Sequence, residues 1–369
     1  MMLLISFMEH FRWNMKDFKK FILTLILTFI MTLPILVYCS NLFMPKWVDH
    51  DGNMMTFIMK GFYKEKKNSL DVLFTGNSDV YRGISPMVLY EKYGITSYNY
   101  VSAGQRSWIA YHMLKEALQY QNPKIIFFNV DGLFKDNQAT KGNNNKVYDN
   151  LRFGPNKIES VFDKTYKKSK TEKLGHFLPI LSYHSRYTEL TKNDFKYALY
   201  DWNNPTKGME VIADRIKYKS KKNYMEKNDE IEEIPSINKE YLDKMLNLCR
   251  DKQIEFILFE VPSPDSWNYE RHNAIEEYAK NNNLKFLDLN LMNDTIKLNW
   301  KKDTSDGGDH LNVFGAEKVT NYIGEYLNEN YSLKNRKNDR NYSKWNEQLK
   351  EYKKIVEEEI ELSKKSKKY

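Results

Sequence analysis

The chain has 369 residues, of which 41% are hydrophobic and 14% aromatic, enough to form a sizeable core in one or two domains. Its formal net charge of +8 suits an anionic partner, but the cations are interspersed with acids and no nucleic-acid-binding motif is present. A lysine-rich solvated surface is the simpler interpretation. Cys39 lies in an apolar segment and Cys249 in a predicted helix, so neither a disulfide nor a thiolate metal site is expected.

An almost unbroken apolar stretch at 21–43 has about the ~20 residues needed to cross a bilayer. Four cations precede it, namely Arg12, Lys16, Lys19 and Lys20. The positive-inside rule therefore predicts a single-pass protein of the cell membrane, with 1–20 in the cytoplasm and the rest of the chain outside the cell. A cleaved signal peptide is the alternative, although no small-x-small site follows the apolar core.

After a linker at 44–68, an α/β pattern occupies 69–331. Strands are predicted at 72–74, 97–101, 124–130, 254–261 and 285–289, and helices at 87–93, 107–121, 239–251 and 316–331. Ser85 is the predicted N-cap of the first of these helices and Gly94 its end. Repeated strand–helix–strand units predict a parallel sheet with right-handed connections.

Two segments depart from this pattern. The stretch 135–235 is predicted as an insertion at the carboxyl edge of the third strand, where a lid or substrate-binding cap would lie. It combines an Asn- and Lys-rich loop at 141–146 with helical pieces, one of which carries His184 as either a structural or a substrate-contacting residue. The charged segment 332–369 is predicted to be a helix packed on the surface, with a coiled-coil contact to a partner as the alternative.

The first predicted strand stops at a turn that carries a serine. Gly76 allows the backbone to turn sharply, and Ser78 follows at the strand's carboxyl end. In an open parallel sheet, ligands bind at that edge. Ser78 is therefore well placed for chemistry.

A histidine lies on a glycine- and aspartate-rich loop near the other end of the α/β pattern, at 303–312. A serine hydroxyl needs a base with a pKa near 7 to take its proton and an acid to orient that base. Ser78, His310 and a neighbouring aspartate supply these groups. A metal site at Asp306, Asp309 and His310 is the alternative, but it lacks a fourth protein ligand nearby in sequence.

Three stretches of the chain resemble the SGNH/GDSL hydrolase superfamily. The segment 74–86 is similar to the Gly-Ser-Ser-x-x-x-x-x-Ile-x-Pro block of its membrane-anchored branch, which includes the DltD- and AlgJ-like proteins that acylate bacterial cell-surface polymers. The resemblance assigns the nucleophile to Ser78. It assigns an oxyanion-hole amide to Gly104, within 99–105, and the catalytic base to His310. The implied fold is a three-layer α/β/α, flavodoxin-like arrangement that follows one transmembrane helix.

The resemblance also implies roles for neighbouring residues. Amides of Ser78 and Gly104 and the side chain of Asn129 are the expected oxyanion donors. Polar residues of the matched blocks are expected to contact substrate, namely Asp79, Arg82, Gln105 and Asp131. The family spacing Asp-x-x-His is absent here. We favour Asp306 as the orienting acid, because a turn at Gly307 and Gly308 can absorb the extra residue, with Asp309 as the alternate.

The predicted function is that of an extracellular serine acyltransferase or esterase acting on acetyl or D-alanyl groups of a cell-envelope glycan or teichoic acid. No cofactor is expected. A multi-spanning membrane acyltransferase is the implied protein partner, and a nucleic acid is not. A catalytically inactive scaffold subunit of the same fold is the alternative, and the residues alone leave transfer and hydrolysis both open.

Overall fold

The computed structural model describes residues 15–46, 54–136, 141–220 and 223–366. These residues form two compact units. The first unit contains 15–46 and 169–201, and the second contains the rest of the described chain. The predicted insertion at 135–235 is thus divided, because only its central part belongs to the same unit as the N-terminal apolar segment.

A five-stranded parallel sheet forms the centre of the second unit. Its strands are β1 (Val72–Thr75), β2 (Ser97–Asn99), β3 (Ile125–Asn129), β4 (Glu255–Glu260) and β5 (Lys285–Asp288). Their order across the sheet is β2-β1-β3-β4-β5, and every neighbouring pair is parallel. This is the order of flavodoxin-like folds. The predicted α/β class and parallel sheet are confirmed.

Helices connect these strands and extend the chain at both ends. They are α1 (Met15–Phe43), α2 (Met55–Phe62), α3 (Ser78–Gly83), α4 (Pro86–Tyr93), α5 (Ser107–Tyr120), α6 (Lys141–Tyr148), α7 (Pro155–Val161), α8 (Lys170–Gly175), α9 (Pro179–Tyr183), α10 (Lys192–Ala198), α11 (Ser236–Asp251), α12 (Tyr269–Asn282), α13 (Asn293–Ile296), α14 (Val313–Asn330) and α15 (Ser343–Lys365). Short 3₁₀ helices lie at Asp131–Phe134, His184–Thr188, Leu289–Met292 and Arg340–Tyr342.

The central strands are buried on both faces, as expected for a parallel sheet covered by helices. Phe127 of β3 stacks on Phe74 of β1 at 5.1 Å between ring centroids and meets Phe259 of β4 edge-on at 5.4 Å. Helix α5 packs against α11, and α4 packs against α14. These two helix pairs are the outer layers of the α/β/α arrangement.

Local sequence signals set several helix boundaries. The Ser85 hydroxyl accepts a hydrogen bond from the Val88 amide at the start of α4, and Gly94 ends that helix at φ +70°. Both predictions are confirmed. The predicted loop at 141–146 is wrong, because this segment lies in helix α6. Asn-rich sequence favours loops, but α6 packs against α2 and buries Val147 and Tyr148.

The C-terminal helix α15 packs within the second unit. Its Trp345 and Tyr352 are buried, and the Tyr352 hydroxyl lies 2.9 Å from that of Ser85. The fully buried ammonium of Lys207 lies 4.2 Å from the Trp345 ring centroid and 2.6 Å from a carboxylate oxygen of Glu65. The contacts of Trp345 with Lys207 and of Tyr352 with Ser85 attach the helix to the rest of the second unit.

In the first unit, α1 is 29 residues long, and its most apolar stretch has a mean hydropathy of 2.4 with none of it buried. It is long and apolar enough to cross a membrane, a property that a signal sequence near an N-terminus shares. Helices α9 and α10 pack against it. Cys39 of α1 and Cys249 of α11 are both free thiols.

Candidate active site

The sheet has a topological switch point between β1 and β3, since β1 pairs with β2 on one side and β3 on the other. Chain connections diverge there and leave a crevice at the carboxyl ends of the strands. Ser78 comes directly after β1, and Asn129 is the last residue of β3. The sequence therefore brings two of its predicted site residues to the same edge.

Ser78 is half-buried and is the first residue of α3. The preceding Asn77 caps this helix, its Oδ1 accepting the Asp79 amide at 3.0 Å. Gly76 makes the turn possible: its φ is +141°, and a Cβ there would lie 2.6 Å from the Cβ of Asn129. The position of Ser78 is thus fixed by a glycine and a cap.

Tyr81 lies one turn of α3 beyond Ser78, and sequence reasoning missed it. Burial raises the pKa of Tyr81 well above its ordinary value, and a hydrogen bond with the Ser78 side chain opposes part of that rise. The two hydroxyls are therefore neighbours. The i, i+3 spacing of Ser78 and Tyr81 could have predicted this, because it places both side chains on one face of a helix.

Asp306 holds His310 through two contacts. Its Oδ2 lies 2.6 Å from His310 Nδ1, and its Oδ1 accepts the His310 amide at 2.8 Å. The turn between them has positive φ at Gly307 (+92°) and Gly308 (+123°), a conformation that favours glycine. Asp309 Oδ2 also approaches Nδ1, at 3.3 Å.

The other ring nitrogen of His310 faces α3. Its Nε2 lies 3.8 Å from Asp79 Oδ1, in the residue that follows Ser78. Burial lowers the pKa of His310, but the hydrogen bond to Asp306 and the charges of Asp79 and Asp309 outweigh it, so the pKa is raised overall. Burial likewise opposes ionisation of Asp306, yet its contacts with His310 and the nearby charge of Arg82 hold its pKa below the ordinary value.

Three buried carboxyl groups lie behind the serine turn. The side-chain amide of Asn77 donates to Asp131 Oδ2 at 2.8 Å. The backbone amide of Asp131 donates to Glu260 Oε2 at 2.8 Å. Burial, reinforced by the charge of Asp131, raises the pKa of Asp79 to about 7. Burial raises the pKa of Asp131, and raises that of Glu260 far more, with the charges of Asp79 and Asp131 adding to it. The three carboxyl groups therefore ionise less readily than exposed ones.

The predicted oxyanion donors Gly104 and Asn129 occupy different settings. Gly104 is half-buried in a turn at φ +54°, and a Cβ there would lie 2.6 Å from the Asn143 amide nitrogen. Asn129 is buried, and its side chain lies beside the carboxyl group of Glu260, where a hydrogen bond between them lowers the pKa of Glu260 in opposition to burial. Gln105 is buried with its amide turned to the Ser102 hydroxyl at 3.2 Å.

Arg82 lies close enough to Asp306 for its charge to act on that carboxylate. It forms an ion pair with Glu210, a residue outside the matched sequence blocks. Its Nε lies 2.7 Å from Glu210 Oε2, a close ion pair in which Glu210 is fully buried. The Glu210 amide also donates to the Tyr81 carbonyl at 2.8 Å. Glu210 had no signal in the sequence, because it reaches the site from a stretch without regular secondary structure.

Asp306, Asp309 and His310 each place a possible metal-ligand atom within 4.8 Å of the others. Three protein ligands suffice for an open zinc site. However, Nδ1 of His310 already contacts Asp306 at hydrogen-bond distance, and its Nε2 faces Asp79. The arrangement fits a histidine oriented by a carboxylate better than a metal ligand.

No family model matches the chain, and no curated protein matches it. Among solved structures, a protein assigned as an acylhydrolase from Bacteroides fragilis NCTC 9343 is 12% identical, with 76% of this chain and 99% of that one covered and a TM-score of 0.34. A GDSL-like lipase from Bacteroides thetaiotaomicron VPI-5482 is also 12% identical, covering 70% of this chain and 87% of its own at a TM-score of 0.31. Likenesses this distant carry no information about activity.

Proposed function

We propose that the protein is a membrane-anchored serine acyl-transfer enzyme of the SGNH type. One observation carries the proposal: the two nitrogens of His310 contact opposite partners. Nδ1 lies 2.6 Å from Asp306, while Nε2 faces the helical turn that begins at Ser78. A base held in this way on one side and open towards a serine-bearing turn on the other is the arrangement of a Ser-His-Asp site.

The proposed reaction has two balanced steps. Ser78 Oγ attacks the acyl carbonyl while His310 Nε2 takes the hydroxyl proton, and collapse of the tetrahedral intermediate breaks the ester bond and returns that proton to the leaving alcohol. The acyl group is then esterified to Ser78. A sugar hydroxyl or a water then gives its proton to His310 and attacks the acyl carbonyl, and collapse of the second tetrahedral intermediate breaks the Ser78 ester bond and returns that proton to Ser78 Oγ.

Oxyanion stabilisation is proposed to come from the amides of Ser78 and Gly104. The Tyr81 hydroxyl is a further candidate donor, because it is neutral and adjacent to Ser78. Ionised carboxylates would oppose an oxyanion, so the raised pKa values of Asp79, Asp131 and Glu260 support the proposal. Because their pKa values are raised, these groups ionise less readily than exposed carboxyl groups, which lessens that conflict.

The proposed substrate is an O-acetyl or O-D-alanyl group on a cell-envelope glycan or teichoic acid. Helix α1 supports anchoring by its length and mean hydropathy, and the cations at its start favour a cytoplasmic N-terminus. A tethered domain raises the effective concentration of enzyme near a surface polymer. A multi-spanning membrane acyltransferase is the proposed donor of the acyl group.

The test is labelling of the detergent-solubilised full chain with a fluorophosphonate probe. We expect the wild type to be labelled and Ser78→Ala to be unlabelled, with His310→Ala strongly slowed. An unlabelled wild type would instead favour the scaffold function. Labelling that requires a divalent cation and is lost with EDTA would favour the metal site at His310.

The glycan itself can be examined in a deletion strain. We expect loss of ester-linked acyl groups from one envelope polymer, restored by the wild-type chain and not by Ser78→Ala. Restoration by Ser78→Ala would contradict a catalytic role for this serine.

A further inference from the structure

Helix α1 changes its surroundings sharply along its length. Every residue from Leu23 to Val37 is exposed, and burial begins beyond it, where Ser40, Leu42 and Met44 are covered. The covering elements are α9 and α10, which lie within 169–201. We call this segment, 169–201, the collar.

Two cations bind the end of α1 into the collar. The buried ammonium of Lys46 lies 2.5 Å from the Met44 carbonyl and 3.9 Å from a carboxylate oxygen of Asp194 in the collar. Arg186 of the collar donates to the Phe43 carbonyl at 2.5 Å and to Asp194 at 3.2 Å. These bonds satisfy carbonyls that a helix C-terminus leaves open and place positive charge at its negative end. The collar therefore binds the C-terminal end of this helix.

The collar also exposes several large apolar side chains. In α10, Asp194 and Ala198 are buried, while Phe195 is 52% exposed. Leu199, which directly follows the helix, is 81% exposed. Tyr187 of the 3₁₀ helix is 70% exposed. An apolar stripe of this kind on a short amphipathic helix is typical of segments that lie in a membrane interface.

The length of α1 places this surface at a specific depth. The last cation before the apolar run is Lys20, and about 20 residues from Phe21 cross the hydrocarbon region at 1.5 Å per residue. That distance ends near Ser40, where the collar begins to cover the helix. The exposed apolar side chains thus fall at the level of the lipid headgroups.

We propose that the collar is a membrane-surface module that inserts Tyr187, Phe195 and Leu199 into the headgroup layer of the bilayer that α1 crosses. The inference rests on the membrane anchor of the proposed function and goes beyond it. Exposed Lys192 and Lys196 flank Phe195 and provide cations for phosphate headgroups. Aromatic rings are favoured at this level because they have an apolar body with a polar edge.

The experiment places an environment-sensitive fluorophore on single cysteines of the full chain in lipid nanodiscs. Cys39→Ser removes the half-buried native thiol, and Cys249 is buried in the core. The labelled sites are Leu199→Cys and Tyr187→Cys in the collar, Ile30→Cys in α1 and Leu362→Cys in α15. Quenching is measured with nitroxide lipids labelled near the headgroup or deep in the acyl chain.

We expect both collar sites to lose fluorescence with the shallow nitroxide and Ile30→Cys with the deep one, while Leu362→Cys keeps its signal. Quenching at Ile30→Cys without quenching at either collar site would overturn the collar proposal and leave the anchor intact. Absence of quenching at all sites would overturn the anchor itself. Collar labels shielded from aqueous iodide but not quenched by lipid would contradict lipid contact and indicate a protein partner.

Discussion

Asp306 and Asp309 approach the same nitrogen of His310, at 2.6 and 3.3 Å, but they do so differently. Asp306 in addition accepts the His310 amide, so its carboxylate is fixed on both oxygens. A carboxylate held in this way selects one tautomer and leaves Nε2 free to accept a proton. The geometry thus distinguishes Asp306, which the sequence analysis favoured, from its alternate Asp309.

Asp306→Asn is expected to leave the fold intact and reduce turnover by up to ~10⁴-fold, because the amide stabilises the wrong imidazole tautomer. Asp309→Asn is the matched control and is expected to be mild. Ester hydrolysis rates and circular dichroism of both variants check the prediction. The reverse order of effects would transfer the orienting role to Asp309.

The rate should rise with pH as His310 loses its proton, through a pKa above the ordinary 6.5 because Asp306 and Asp79 favour the charged ring. Asp79→Asn removes one of these charges. The acid limb of the kcat/KM profile is therefore expected to move to lower pH. An acid limb that stays in place would show that Asp79 is already neutral or that another group controls the profile.

At the scale of the element, the β1–α3 turn depends on close contact with the end of β3. Gly76→Ala would introduce a Cβ 2.6 Å from that of Asn129 at a φ of +141°. We expect a loss of at least about 2 kcal/mol in the free energy of unfolding, from strain and overpacking together.

Gly142→Ala is the control for this substitution. It lies in α6 with nothing within 4 Å of the added methyl group, so alanine is expected to be neutral or stabilising. Urea unfolding of the two variants makes the comparison. Equal stabilities would mean that the turn is not constrained by Asn129.

At the scale of the whole molecule, the buried carboxyl groups of the site lower the free energy of unfolding by an amount that depends on pH. The folded pKa of Asp79 is about 7, above its ordinary 3.8, and those of Asp131 and Glu260 are also raised. Raised carboxyl pKa values favour the folded state at acidic pH, and this advantage is lost as pH rises from about 4 towards 7. His310, whose pKa is also raised, loses its stabilising contribution in the same direction.

We therefore expect a higher Tm at pH 5.5 than at pH 8, by about 2 °C or more. Glu260→Gln should reduce this difference, because it removes a buried acid of similar shape. Calorimetry in detergent gives both values. A Tm that is higher at pH 8 in the wild type would contradict the prediction, because carboxyl groups with lowered pKa values, such as Asp163, stabilise the fold equally at both pH values.

The sequence determined the features that depend on neighbouring residues. Strands β1 to β5, the Ser85 cap and the Gly94 end of α4 follow from local patterns of apolar residues, hydroxyls and glycines. The same holds for Ser78 on a turn after β1. These signals act within a few residues, so a single sequence is enough to predict them.

Only the tertiary structure decided the contacts between distant segments. The pairing of Arg82 with Glu210, the approach of Asp131 to Glu260 and the association of 169–201 with α1 have no local signal. Helix α6 shows the same limit, since packing against α2 outweighs its Asn-rich composition. Long-range packing energies exceed local propensities of a few tenths of a kcal/mol per residue, and they exist only once the chain has folded.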